Sequence, residues 1–145
     1  MRKIIGTIAL AFVAVVAFSG FGIFGGKYNM ISAEETATLI RESKPVSLVD
    51  IQVEKEFNAE HLKGAIPTYA YPVKSDEEKA KLDSAIAKLG KDEPIVIVCP
   101  RGGGGAEKAY DYMVSKGIAK ERLFILAKGQ QGWPRDKITD VLVKP

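Results

Sequence analysis

The chain has 145 residues, of which 46% are hydrophobic and 27% charged, enough for one small globular domain with its own core. Its formal charge is +3, but two of the 21 basic residues, Arg2 and Lys3, belong to an N-terminal segment, and the other 19 are nearly matched by the 18 acidic ones. No basic stripe alternates with aromatics, so the composition gives no support to a nucleic-acid partner.

Arg2 and Lys3 precede an uncharged, mostly apolar run from Ile4 to Phe24. Its length lies between the ~7–15 residues of a signal-peptide core and the ~20 of a spanning helix. The expectation is therefore an exported protein, periplasmic or in the cell envelope, whose first segment engages membrane or secretion machinery. Val15-Val16-Ala17 would suit cleavage; a retained inner-membrane anchor fits equally. Gly20, Gly22, Gly25 and Gly26 form a spacer, so that residues 1–26 precede a single domain at 27–145.

Tyr28 to Ile31 reads as a short strand. Ser32 and Glu35 have the spacing of a capping box, and the helical pattern runs to about Ser43, before Pro45. Val46 to Ile51 is an apolar run closed by Asp50, hence a second strand. Glu54 onward starts a short helix, Gly64 marks a turn, and Ile66 begins a third strand. His61, the only histidine, is expected to hold that turn rather than to act as a base. After a loop at 69–75, Asp76 to Leu89 reads as one helix, stopped by Gly90.

Ile95 to Val98 is a continuous β-branched run, the pattern of a strand buried on both faces. The only cysteine, Cys99, stands at its end. Pro100, Arg101 and Gly102 to Gly105 follow, and a helix is expected from about Ala106. The thiolate is the reactive form of cysteine, and a helix N-terminus favours negative charge. Glycines let successive N–H groups form an anion-binding nest, and Arg101 adds a permanent charge shaped for an oxyanion. The helix should bury Ala106, Ala109, Tyr110, Met113 and Val114 and stop at Gly117. Leu123 to Leu126 reads as another buried strand, Gly129 to Trp133 as a turn, Trp133 as core, and Lys137 to Pro145 as a short terminal helix or tail. One histidine and one cysteine do not make the usual four-ligand zinc site, and no cofactor is indicated. Alternating strands and helices imply an α/β fold with a mostly parallel sheet covered on both faces, and ligands in such folds bind at the carboxyl ends of the strands.

Four stretches in order, namely Val49-Asp50-Ile51 with Glu56-Phe57, His61 to Ala65, the Cys99 loop, and Leu126 through Gly129 to Trp133, together resemble the rhodanese domain. The resemblance implies a five-stranded rhodanese-like sheet. It also implies that Cys99 takes the outer sulfur of a donor as a persulfide and passes it to a thiophilic acceptor, a thiol or cyanide. The sequence departs from many such domains in three places: Gln52 replaces an arginine, the late loop positions are Gly103, Gly104 and Gly105, and Lys128 replaces the first glycine of a pair. Lys128 is expected to help Arg101 attract an anionic, thiosulfate-like donor. Phosphatase and arsenate-reductase relatives of the fold carry an arginine at the end of a longer loop, and Gly104 with Gly105 argue against that activity. The alternatives are a carrier that holds sulfur or selenium for a partner protein without turnover, and a structural domain with an inert thiol. A lone cysteine in an oxidising compartment would need a redox partner or persulfide protection.

Overall fold

The computed structural model describes residues 27–145; the expected signal or anchor segment and its glycine spacer lie outside the described residues. Five strands form one parallel sheet. They are β1 (Met30–Ile31), β2 (Ser47–Asp50), β4 (Ile66–Pro67), β5 (Ile95–Val98) and β6 (Leu123–Leu126), in the spatial order β1-β6-β5-β2-β4. The sheet is central because β5 alternates two sets of apolar side chains. Ile95, Ile97 and then Cys99 face one core with Val49, Ile51 and Ile125, whereas Val96 and Val98 face a second with Ile31, Leu48, Phe124 and Leu126. A strand covered on both faces has no need of polar alternation.

The helices cover these two faces. α1 (Ala33–Arg41) buries Ala37 in the second core, and its first turn is capped by Ser32, whose side chain accepts the Glu35 N–H at 3.0 Å. A complete capping box is formed at Ser75 and Glu78. α2 (Glu54–Ala59) is short and buries Phe57. α5 (Gly104–Ser115) lays Ala106, Ala109, Tyr110 and Met113 into the first core, with Val114 only partly buried.

Three expectations are corrected. The single helix expected over 76–89 is two, α3 (Asp76–Ala80) and α4 (Asp83–Ile86), joined by tighter bonds from Lys81 N to Glu78 O and Leu82 N to Lys79 O. The charged first turns bury nothing; Leu82 and Ala85 alone are fully buried, so packing holds only the second piece. The long helix after Cys99 begins at Gly104 rather than Ala106, which places Gly104 and Gly105 in its first turn. The C-terminal segment is neither a helix nor a free tail. Leu142–Val143 forms β7, antiparallel to β3 (His61–Leu62), with His61 opposite Val143 and Leu62 opposite Leu142. Ile138 and Val141 bury beside Trp133, whose Nε1 donates to Ile138 O at 2.7 Å, so burial draws the tail onto the sheet.

Candidate active site

Cys99 directly follows β5 on the face covered by α5 and is 1% exposed. The chain turns immediately, with Gly102 at φ +75°, and the Gly102 N–H donates to Cys99 Sγ at 2.7 Å. A backbone donor aimed at sulfur from the turn that opens a 12-residue helix can stabilise a thiolate or a persulfide there. Gly103 is the N-cap of α5, and a Cβ at Gly103 or Gly104 would meet nothing within 4 Å, so the outer rim of the loop is open. Gly105 is different: a Cβ there would lie 2.8 Å from the Tyr71 ring.

The two expected cations take distinct places. The Arg101 guanidinium donates to the Tyr71 hydroxyl at 3.1 Å. Lys128 has an exposed side chain and a left-handed backbone, φ +67°, in the turn after β6. That turn presses on the Cys99 loop from behind. A Cβ on Gly102 would lie 2.8 Å from Lys128 N, and one on Gly129 only 2.4 Å from Cys99 O. Gln130 N donates to Cys99 O at 2.7 Å and Gln131 N to Pro100 O at 2.9 Å. The loop is therefore held by backbone contacts that leave no room for a side chain at Gly102 or Gly129.

His61 lies in β3 and is tied to α2 rather than to the turn at Gly64. Its Nδ1 donates to Phe57 O at 2.8 Å, and its ring stacks on Phe57 at 3.9 Å between centroids. Among the described residues no group of three His, Cys, Asp or Glu side chains could hold a metal ion.

A polar network that the sequence reading missed lies behind the loop. Glu60, nearly buried, accepts Gln130 Nε2 at 2.8 Å and Arg135 Nε at 2.8 Å, and also pairs with Arg135 Nη2. Arg135 further donates to the carbonyls of Gln130, Gln131 and Trp133, clamping the turn that holds the Cys99 loop. Burial pushes the Glu60 carboxyl up, but the hydrogen bonds from Arg135 and Gln130 outweigh it and hold the group below its usual range. These residues line a cavity of about 170 Å³ with Gln52, and Gln130 Oε1 is buried with no protein partner. The partners are some 70 positions apart in the chain, and no periodicity marks such a pair.

Asp50 is fully buried at the end of β2 and accepts Gln52 N at 2.8 Å and Gln52 Nε2 at 3.0 Å. Burial pushes its carboxyl up to about 6, against the pull of those two neutral donors; His61 lowers it and Glu56 raises it slightly. A carboxyl raised in the folded state binds more protons there than in the unfolded chain, so its contribution is present at low pH and lost as pH rises from about 4 to above 6. Wild-type stability relative to Asp50→Asn should therefore fall by about 3 kcal/mol over that window. Urea unfolding of both proteins at pH 4, 5, 6 and 7.5 checks this; parallel curves would refute it.

The fold and this loop place the chain in a family. The model of the Rhodanese-like domain matches residues 32–136, and the chain belongs to that family. A Rhodanese-like domain protein from Staphylococcus aureus is 22% identical, with a TM-score of 0.58 over 80% of this chain and 97% of that one. The As-Sb reductase from Leishmania major is 16% identical, with a TM-score of 0.58 over 80% and 85% of the two chains. A yeast protein tyrosine phosphatase of the Rhodanese family is also 16% identical, with a TM-score of 0.57 over 79% and 90%. At these identities the likeness is one of fold. No curated protein matches the chain.

Proposed function

We propose that this protein is an exported sulfurtransferase that carries a sulfane sulfur on Cys99. The observation that supports it most is the Gly102 N–H on Cys99 Sγ, at a strand end facing a helix N-terminus. The Cys99 thiolate attacks the outer sulfur of a thiosulfate-like donor. A new S–S bond forms, the donor's own S–S bond breaks, and sulfite leaves with the electron pair. A thiol or cyanide then attacks the outer sulfur of the persulfide and frees the thiolate; with cyanide the product is thiocyanate. Arg101, the loop amides of Gly102 to Gly105 and, more distantly, Lys128 serve the anion. The same fold serves a phosphatase and an As-Sb reductase, but here glycine, not arginine, fills the end of the loop.

The burial of Cys99 favours a second reading, a carrier that shelters its sulfur until a partner protein opens the loop. Export rests on Arg2, Lys3 and the apolar run that follows; among the described residues no helix is long and apolar enough to cross a membrane. In an oxidising compartment the reading also calls for a redox partner or persulfide protection of the lone thiol.

Intact mass of the full chain after thiosulfate, and again after cyanide, tests the proposal. One sulfur gained and then released as thiocyanate is the expected result, and its rate separates enzyme from carrier. No gain with thiosulfate or with other sulfane donors would overturn both.

A further inference from the structure

Tyr71 stands against the loop that follows the candidate nucleophile, at Gly105 and Arg101, without any role assigned by the loop itself. Its backbone is fixed, with Tyr71 N donating to Ile51 O at 2.8 Å, just beyond the end of β2. Its ring packs against the core cluster that contains Cys99, Ile51 and Ala106. The ring lies so close to Gly105, in the first turn of α5, that a Cβ there would meet Cδ1 and Cε1 at 2.8 Å. Its hydroxyl accepts Arg101 Nη2 at 3.1 Å. One side chain thus touches both the first turn of α5 and the charge expected to receive the donor. The opposite rim, at Gly103 and Gly104, is open.

We propose that Tyr71 is the specificity-determining wall of this site: it holds Arg101 at the mouth for a small anion and excludes bulk from the Gly105 side. The proposal deepens the sulfurtransferase reading by stating which donors enter, namely small anions presented over the glycine rim. An exposed guanidinium on a flexible stem must lose freedom to meet a ligand. The hydroxyl bond restricts it beforehand, and a phenylalanine ring would leave the wall in place while releasing the charge.

Because Cys99 is the only cysteine, alkylation of the chain by iodoacetate and by iodoacetamide reports on this mouth alone. In both reactions the thiolate forms an S–C bond and iodide leaves; the reagents differ in charge. The unsubstituted protein should favour the anionic reagent, relative to a small free thiol, more than Arg101→Ala does. Tyr71→Phe should lose about threefold of that preference, the scale of an exposed charge contact. In an Arg101→Ala background Tyr71→Phe should change nothing further. Tyr71→Ala should speed both reagents, and Gly105→Ala, whose methyl displaces the ring, should do the same if Tyr71→Ala does not fold. A preference unchanged in Tyr71→Phe, effects that simply multiply in the double variant, or no acceleration when the ring is removed or displaced would each overturn the proposal. Sulfur uptake from thiosulfate by the unsubstituted protein is read separately, so failure of the sulfurtransferase reading is distinguishable from failure of this one.

Discussion

Gly129→Ala is expected to cost about 2–5 kcal/mol, a large part of the 5–15 kcal/mol that holds a domain of this size together. Two costs add. The residue sits at φ +65°, where a side chain costs about 1–2 kcal/mol. Its new Cβ would also fall 2.4 Å from Cys99 O and 2.6 Å from Arg101 N. These are backbone atoms on both sides of a turn, so neither can swing away, and relieving the overlap costs about 1–3 kcal/mol more. Gly64→Ala separates the two costs. Gly64 has φ +85°, but a Cβ there meets nothing within 4 Å, so that variant should lose only the conformational part. Urea midpoints of the two variants against wild type measure the difference. Equal losses would show that the Lys128–Gly129 turn does not brace the Cys99 loop.

The second large effect is chemical. Cys99→Ser should abolish sulfur uptake altogether and reduce transfer by at least about 10³-fold, the usual consequence of removing a nucleophile. Since the chain has no other cysteine, no second residue can hold a persulfide, and the mass gain after thiosulfate must be zero. The fold should survive, because serine keeps an acceptor where Gly102 N–H points. The thermal midpoint of Cys99→Ser checks that the loss is not one of folding. Residual thiocyanate formation by a folded Cys99→Ser protein would remove Cys99 from the proposed mechanism.

Strand positions were legible in advance wherever one face rule sufficed. The β-branched run of β5 and the apolar runs of β2 and β6 declare themselves because a strand buried on both faces needs no polar alternation. The turn after Cys99 was legible as well, since Pro100 cannot continue a ladder and glycine accepts the φ of +75° that Gly102 adopts. The helix over 76–89 was misread because its spacing suited a helix while its first turns had nothing to bury. The terminal strand was misread because Leu142 and Val143 acquire that form only against His61 and Leu62, some 80 residues earlier.

By itself, then, the sequence determined the α/β alternation, the place of the lone thiol at a central strand end, and the glycines that let backbone donors approach it. These are local properties, set by side-chain periodicity and by φ. The tertiary structure decided what surrounds that thiol: Tyr71 against Gly105 with Arg101 on its hydroxyl, the Lys128–Gly129 turn behind the loop, and the Glu60–Gln130–Arg135 network that holds the turn. Each of these joins residues far apart in the chain. Such contacts form because close packing leaves those groups no other partners, and no pattern within a single segment encodes them.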